Sequence, residues 1–310
     1  MSAYKQSPLT VLATVLHGLM QRYRERVPDV GAVVDTMIRE GIITHEEDIE
    51  NDHIAFRTMG RPHLGIPSLE KVFLRCGYAR MDRYDFPEKK VTAHWYQPPD
   101  VRYPRLFISE LQVDALSDDA QRIIRSYTDE VQADPVDALD MDDGREIDLF
   151  LHRPLWRTPV FADYARLSEE SEFAAWVIYN RYYLNHFTIT IHNLPEGYNT
   201  VAAFNAFLER HGFRLNNVGG KIKTSRDGML IQSATVAEMV DAEFDDGRGG
   251  VDRQRIAGSY IEFAERRPLE PYVRVARTRL RREHRRDGFD AANADRIFES
   301  TYTHQTRKRT

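Results

Sequence analysis

The sequence predicts an α+β fold in which two copies of a βαβββ unit form a half-open β-barrel, with helices added at the N-terminus, between the copies and at the C-terminus. First, two strand-like segments each begin with a histidine, His53 and His186. Second, each segment is followed by a helix that ends in an aromatic–leucine pair and then a glycine. The glycine is Gly77 in the first copy, 24 residues after His53, and Gly212 in the second copy, 26 residues after His186. Third, each copy has a later strand with a glutamate, Glu110 or Glu262. Matches in the same order indicate a weak internal duplication.

The N-terminal elements are predicted from local signals. Ser7 before Pro8 is a good N-cap for a helix whose apolar residues recur at helical spacing. A second helix over residues 30–39 ends before Gly41. The first copy is then predicted to contain a strand over residues 53–59, a helix over 68–76, and strands over 90–96 and 105–113.

The middle of the chain and the second copy follow the same reasoning. An acidic amphipathic helix over residues 117–133, an Asp- and Pro-rich connection over 134–157 and a helix over 160–182 join the copies. The second copy is predicted to contain a strand over 186–192, a helix over 200–210, a hairpin of strands 221–224 and 229–235, and a strand over 259–264. Residues 225–228, Ser-Arg-Asp-Gly, suit the hairpin turn.

We interpret the whole chain, residues 1–310, as a single catalytic domain. Its predicted parts are an N-terminal helical cover (1–45), a first module (46–116), a helical connection (117–183), a second module (184–266) and a basic helical tail (267–310). This division follows the repeat boundaries and the change of charge after the last strand.

Composition excludes several classes of function. Hydrophobic residues make up 42% of the chain and the net charge is −5, so nothing marks it as a nucleic-acid binder. The arginine-rich residues 277–286 are interpreted as a solvated or oligomer-facing helix. The single cysteine, Cys76, follows an apolar run and is expected to pack rather than react. No apolar run is long enough for a membrane span, and we expect a cytoplasmic protein.

The predicted strands carry their polar residues on one face. Residues two apart on a strand share a face, so His53, Ala55 and Arg57 point the same way. The same spacing groups His186 with the threonines after it, and Glu262 with Tyr260. The alternate residues are apolar and suit packing against helices. This pattern gives a polar inside and an apolar outside, which indicates a lined cavity rather than a dry core.

Two imidazoles and one carboxylate, here His53, His186 and Glu262, are the facial ligand set with which Fe(II) keeps positions open for substrate and oxygen. Zinc suits the same ligand types, but the His-Glu-x-x-His pattern is absent from the sequence. Glu110 could replace or join Glu262, and His192 is expected outside the ligand set because it lies further along the strand from His186.

Substrate-binding residues are proposed from their position near these strands. Arg57 lies about 13 Å along the strand from His53, and its guanidinium could pair with the far carboxylate of a metal-bound dicarboxylate. The other candidates are Lys223, Gln232, Ser233 and Tyr260. The sequence contains neither a phosphate-binding Gly-rich loop nor a Gly-x-Ser-x-Gly elbow.

At this point the motifs resemble those of a known family. The chain is similar to the 2-oxoadipate dioxygenase/decarboxylase family, also called hydroxyglutarate synthase, of the vicinal oxygen chelate superfamily. The resemblance rests on His53-x-x-x-Arg57, on the strand beginning Asn185-His186, and on Glu262 within Tyr-Ile-Glu-Phe. These matches and the order of elements between them extend over about residues 8–266.

The resemblance implies a specific chemistry. It implies Fe(II) bound by His53, His186 and Glu262, recognition of substrate by Arg57, and conversion of 2-oxoadipate and O₂ to 2-hydroxyglutarate and CO₂ in lysine breakdown. Well-studied members are longer, and part of their substrate contact comes from a C-terminal region, whereas only 44 residues follow Arg266 here. The resemblance therefore indicates the metal more firmly than the particular 2-oxo acid.

Two other functions are compatible with these residues. One is another vicinal oxygen chelate metalloenzyme, such as a glyoxalase-like isomerase or a ring-cleaving dioxygenase. The other is a non-catalytic protein that binds a small molecule on the same fold. For the leading function, the expected partners are a 2-oxo acid and O₂, without nucleic acid or membrane, and an oligomer is compatible with the basic tail.

Overall fold

The computed structural model describes residues 6–307. The first part of the chain forms α1 (Pro8–Arg26), α2 (Pro28–Arg39), β1 (Asn51–Met59), α3 (Ile66–Arg75), β2 (Ala79–Phe86), β3 (Val91–Gln97) and β4 (Arg105–Leu111). The connection forms α4 (Asp118–Thr128), α5 (Gly144–His152), α6 (Phe161–Glu170) and α7 (Glu172–Asn180). The last part forms β5 (His186–Thr190), α8 (Val201–Arg210), β6 (Lys223–Thr224), β7 (Leu230–Ala234), β8 (Met239–Asp245), β9 (Val251–Ala257), β10 (Tyr260–Arg266), α9 (Ala291–Phe298) and α10 (Thr303–Thr306).

One curled eight-stranded sheet contains both copies, in the order β2-β3-β4-β1-β5-β10-β7-β6. The two leading strands, β1 and β5, pair antiparallel at its centre. Each then pairs in parallel with the last strand of its own copy, β1 with β4 and β5 with β10. The predicted α+β fold with a duplicated half-barrel is thus confirmed. The β8–β9 hairpin, which forms a separate two-stranded sheet, is inserted between β7 and β10 of the second copy.

The apolar face of the central strands lies against helices, as the alternation predicts. The Phe56 ring lies 5.6 Å from that of Phe73 in α3, and the Phe263 ring lies 5.1 Å from that of Phe204 in α8. Burying each such side chain contributes about 1.5–3 kcal/mol. The helices therefore fix the outer face, which leaves the polar residues on the inner face of the sheet.

The helix predicted over residues 160–182 is in fact two helices, α6 and α7, separated by Ser171. Ser171 has extended backbone angles, φ −147° and ψ 102°, and its hydroxyl accepts a hydrogen bond from the Ala174 backbone N–H. Serine side chains satisfy the free N–H groups at a helix start, so Ser171 ends one helix and begins the next. The apolar run of α7, including Phe173 and Trp176, is consequently directed into the core.

Besides the β8–β9 hairpin, two elements were missing from the sequence prediction. The helix α5 lies within the predicted connection, where Asp143 caps its start by accepting from the Arg145 and Glu146 backbone N–H groups. Its buried residues contact α1 near Gly18, where any larger side chain would clash with Asp148. The strand β2 is at the sheet edge and is almost wholly exposed, so it lacks the apolar alternation by which strands are recognised.

The prediction of a mostly helical tail is wrong. Residues 267–290 form an extended segment with short 3₁₀ turns, and in the rest of the tail up to residue 307 the α-helices are α9 and α10. Arginines of the basic run anchor this segment by donating hydrogen bonds to backbone carbonyls, Arg282 to Val101 and Tyr103, and Arg285 to Arg266. The run is thus not the predicted solvated helix.

Within residues 6–307, no helix combines the length and hydropathy needed to cross a bilayer.

A half-buried pair of acids, Asp29 in α2 and Glu238 just before β8, gives a pH-dependent stability. Burial and the neighbouring Glu238 raise the pKa of Asp29 to about 7. Because the folded protein holds this proton more tightly than the unfolded chain, its stability declines as the pH rises from about 4 towards 7. We expect Asp29→Asn to raise the free energy of unfolding, by a gain that grows by about 2 kcal/mol between pH 5 and pH 8. Urea unfolding at both pH values measures this, and an equal gain at both would contradict it.

Candidate metal centre

Strand register brings the three predicted ligands to one level of the sheet. His53 on β1 lies opposite Thr188 on β5, and two residues earlier on β5 is His186, opposite Ala55. On the other side of β5, Glu262 of β10 lies opposite the same Thr188. Three neighbouring strands therefore present one side chain each towards the concave face of the half-barrel.

The three donor atoms form a nearly equilateral triangle. His53 Nε2 lies 3.4 Å from His186 Nε2 and 3.5 Å from Glu262 Oε2, and His186 Nε2 lies 3.2 Å from Glu262 Oε2. Among the described residues they are the group of histidines, cysteines and acids whose donor atoms converge closely enough for one ion. Ligand bonds of about 2.0–2.2 Å from one divalent ion can span these separations.

Hydrogen bonds on the far side of each ring fix which nitrogen faces the centre. His53 Nδ1 lies 2.8 Å from Asp52 Oδ1, and His186 Nδ1 lies 3.0 Å from Asn185 Oδ1. A carboxylate or amide oxygen only accepts, so each Nδ1 is assigned the proton. Each Nε2 then has its lone pair on the side of Glu262, as metal ligation requires, and the Thr188 hydroxyl, 3.0 Å from His53 Nε2, donates a hydrogen bond to it.

The electrostatics of the triad also suit a cation. Burial lowers the pKa of His186 well below its usual value, and the neighbouring His53 acts in the same direction. Burial also disfavours charge on His53, but Glu262 and Asp52 outweigh it and raise the pKa of His53. The ligand atoms therefore compete for a proton in a buried site. A divalent ion satisfies all three donors at once.

The second oxygen of Glu262 is held separately. Gln232 Nε2 donates a hydrogen bond to Glu262 Oε1, and Asn293 Nδ2 donates to Gln232 Oε1 over 2.9 Å. Asn293 belongs to α9 in the C-terminal segment. This chain of amides leaves Oε2 directed at the two imidazoles and links the ligand carboxylate to the end of the protein.

The centre is enclosed. A cavity of about 20 Å³ borders the triad, which is room for about one water molecule. Its floor is the sheet and its roof is the C-terminal segment; the lining residues are His53, Phe107, His186, Gln232, Tyr260, Glu262, Phe289, Ala294, Ile297 and Phe298. Apart from the triad and Gln232, the walls are mainly aromatic and aliphatic.

Arg57 lies deeper, beyond the cavity wall. Its guanidinium donates to the Thr301 hydroxyl over 2.9 Å and to the Phe298 carbonyl over 2.8 Å. It also lies over the rings of Phe173 and Trp176, at 5.0 and 5.3 Å. Within residues 6–307 the structure gives this buried cation no carboxylate partner.

The other predicted substrate residues are divided between the site and its surroundings. Gln232 and Tyr260 line the cavity, and the Tyr260 ring stacks on His186 at 4.9 Å. Ser233 faces away, with its hydroxyl bonded to Asn205 of α8. Lys223 is buried beside this region and donates to the Asn216 carbonyl. Ser233 and Lys223 are therefore not brought to the cavity.

Glu110 does not join the metal centre. Its carboxylate accepts a hydrogen bond from the Ile66 backbone N–H over 2.7 Å at the start of α3. Strand register also shows that Glu110 is not the counterpart of Glu262. In the first copy Arg105 of β4 lies opposite His53, and in the second copy Tyr260 of β10 lies opposite His186. Glu262 lies two residues after Tyr260, so its counterpart is the residue two after Arg105, which is Phe107, a residue that lines the cavity.

His192 is outside the ligand set, as predicted from its distance along the strand. Its Nδ1 accepts a hydrogen bond from the Arg266 backbone N–H over 3.1 Å.

Cys76 is buried, and burial raises the pKa of its thiol to about 11, so it is a poor nucleophile at neutral pH.

Several site residues were not identified from the sequence. Phe289, Asn293 and Phe298 come from the tail, which no local motif connects to the metal ligands. Asp52 and Asn185 had a recognisable signal, because an acceptor side chain directly precedes each ligand histidine in both copies.

Comparison with known proteins gives consistent matches over the whole chain. A family model described as 2-oxoadipate dioxygenase/decarboxylase matches residues 15–279. The chloroplastic 2-oxoadipate dioxygenase/decarboxylase of Arabidopsis thaliana is 38% identical over 323 aligned residues, covering 100% of this chain and 82% of the relative. The chloroplastic/amyloplastic protein of that name from Oryza sativa subsp. japonica is 38% identical over 306, covering 96% and 80%.

A solved structure extends this similarity to three dimensions. The crystal structure of hydroxyglutarate synthase in complex with 2-oxoadipate, from Oryza sativa, is 35% identical and superposes with a TM-score of 0.84. The match covers 98% of this chain and 97% of that chain.

Proposed function

The chain belongs to the 2-oxoadipate dioxygenase/decarboxylase family, and from this premise we propose that it is an Fe(II)-dependent enzyme that converts 2-oxoadipate and O₂ to 2-hydroxyglutarate and CO₂. The observation that supports this most directly is the convergence of two imidazoles and one carboxylate in a closed, largely apolar cavity. Support for the substrate comes from the rice hydroxyglutarate synthase, which was crystallised with 2-oxoadipate.

The proposed cofactor is Fe(II), held by His53, His186 and Glu262. This ligand set leaves up to three coordination positions free, and iron supplies chelation of the 2-oxo acid together with the redox chemistry of O₂. The protein itself orients the metal ligands and keeps water away from them. Phe107, Phe289 and their aliphatic neighbours exclude water from the reacting centre, which suppresses side reactions of the substrate.

Arg57 is proposed to bind the far carboxylate of the substrate. Burial lowers its pKa, so the folded protein carries a guanidinium whose charge is poorly compensated. The Arg57 and Tyr260 side chains interact with each other, but neither Arg57 Nε nor the Tyr260 hydroxyl makes a hydrogen bond of good geometry. A carboxylate placed between them would satisfy both and pair with the charge.

Substrate entry requires the roof of the cavity to move. The enclosed volume of about 20 Å³ is far too small for a 2-oxo dicarboxylic acid. The roof is α9, and Gly288 before it has a φ of +69°, a conformation that glycine adopts without strain. On the outer side, Lys89 Nζ holds α9 and the turn after it through Asp295 at 3.0 Å and Glu299 at 2.9 Å.

Releasing this outer contact should speed substrate entry. We expect Lys89→Met to raise the association rate of 2-oxoadipate about 2–5-fold, because removing ion pairs of this kind weakens closure by about 0.5–1 kcal/mol. Stopped-flow binding to the anaerobic Fe(II) protein measures the rate. The matched control is Lys71→Met, which also removes two ion pairs, to Asp134 and Asp137, but leaves α9 untouched. Equal rates in all three proteins would argue against α9 as the moving part.

The proposed activity is tested by anaerobic reconstitution with Fe(II), followed by addition of O₂ and a panel of 2-oxo acids. We expect one O₂ consumed per 2-oxoadipate, with 2-hydroxyglutarate and CO₂ detected by mass spectrometry and gas analysis. Turnover without O₂ would instead identify an isomerase. Metal-dependent binding of 2-oxoadipate without any turnover would identify a non-catalytic binding protein.

A further inference from the structure

We propose that Asp52 is a positioning residue for His53, and that Arg266 and Arg105 allow a carboxylate to serve in this role by balancing its buried charge. The proposal rests on the metal centre of the proposed function and concerns how one of its ligands is held. The observation behind it is a buried cluster directly behind the His53 ring, on the side away from the donor triangle.

Both oxygens of Asp52 are fully engaged. Oδ1 accepts from His53 Nδ1 over 2.8 Å and from Arg266 Nη2 over 2.9 Å. Oδ2 accepts from Arg266 Nε over 2.6 Å and from Arg105 Nη1 over 3.3 Å. The carboxylate is 1% exposed, so it cannot rotate without losing several of these bonds. His53 is therefore tied to a rigid acceptor rather than to a mobile surface acid.

The cluster is electrically balanced. Arg105 Nε also donates to Asp287, a half-exposed residue, so two carboxylates face two guanidinium groups. A buried carboxylate without such partners would cost several kcal/mol. The balance means that Asp52 can stay ionised behind His53, where it supplies direction and a fixed proton position to the ring.

The two histidines are held differently. The equivalent residue in the second copy is Asn185, a neutral amide whose Nδ2 has no hydrogen-bond partner. His186 depends on this one contact and on stacking against Tyr260. Only His53 is backed by an ionised group, so the duplicated halves support their ligands by different chemistry.

The same cluster reaches the roof of the cavity. Arg266 Nη1 donates to the Gly288 carbonyl over 2.7 Å and to the Arg286 carbonyl over 3.2 Å. The next residue, Phe289, places its ring 4.7 Å from that of His53. One arginine thus fixes both the acceptor behind His53 and the segment in front of it.

The test compares Asp52→Asn with Asp287→Asn. Both remove one negative charge from the same cluster, but only Asp52 touches His53. We expect Asp52→Asn to weaken Co(II) and Fe(II) binding about 10–100-fold, measured by chelator competition, and to change the visible spectrum of the Co(II) protein. Asp287→Asn should bind both ions within about 3-fold of the parent with an unchanged spectrum.

Stability is measured on the metal-free proteins to separate positioning from folding. If Asp52→Asn does not fold, the charge-balanced pair Asp52→Asn/Arg105→Gln gives the same readout. The proposal is overturned if metal affinity and the Co(II) spectrum survive the loss of Asp52, or if Asp287→Asn causes an equal loss. A parent protein that binds neither ion would instead refute the proposed metal centre itself.

Discussion

Replacing His186 with alanine is expected to remove metal binding and, with it, the turnover of 2-oxoadipate. Two remaining ligands, His53 and Glu262, cannot hold an ion as three do. The affinity should fall by more than about 100-fold, the upper end of the loss seen when only an outer partner of a metal ligand is removed. Anaerobic titration with Fe(II) gives the affinity, and O₂ uptake gives the activity.

The design has two matched controls. His94→Ala removes a histidine of β3. Glu110→Gln removes the carboxylate that the sequence suggested as an alternative metal ligand to Glu262. Neither side chain belongs to the donor triangle, so both variants should bind Fe(II) as the parent does. Loss of iron in Glu110→Gln, or its retention in His186→Ala, would contradict the assigned ligand set.

Arg57→Met should abolish the preference for dicarboxylic 2-oxo acids while iron is retained. A buried charge pair to a ligand contributes about 2–5 kcal/mol, and each 1.4 kcal/mol is tenfold. We therefore expect kcat/KM for 2-oxoadipate to fall by about 10²–10³-fold, whereas monocarboxylic 2-oxo acids change by less than about 3-fold. A panel of homologous acids in the oxygen-electrode assay measures both.

The stability of the same variant is a second readout. Methionine fills much of the arginine volume and removes a buried cation, at the expense of the bonds to Phe298 and Thr301. These effects oppose each other, so the free energy of unfolding of the substrate-free protein should change by less than about 1 kcal/mol. Uniform loss of activity across all acids, together with severe destabilisation, would assign Arg57 a structural role instead.

The parts of the fold that the sequence predicted are those governed by local periodicity. The strands that carry His53 and His186 alternate polar and apolar residues. In the structure both faces of these strands are buried, and the apolar face lies against helices. The edge strand β2 and the short helix α5 were missed because neither presents a strong apolar pattern. Ser171 interrupts a long apolar run by capping, which periodicity does not detect.

The parts of the site that the sequence could not predict depend on register and on tertiary contact. Glu110 and Glu262 are both on the last strand of a copy, but strand pairing, not similarity of position in the chain, makes Phe107 the true counterpart. The roof residues, such as Phe289, arrive through a tail that arginine–carbonyl bonds anchor. Four residues after Arg266 line the cavity: Phe289, Ala294, Ile297 and Phe298.

The central pairing of β1 with β5 has a consequence for how such a centre can diversify. Each half of the barrel brings one histidine to the seam, yet one half adds an acid and the other, at the matching place, a phenyl ring. If the centre binds Fe(II) as proposed, two identical halves would surround the ion with four protein donors and leave less room for a chelating acid and O₂. The asymmetry between the two strands would then be what keeps one side of the ion open.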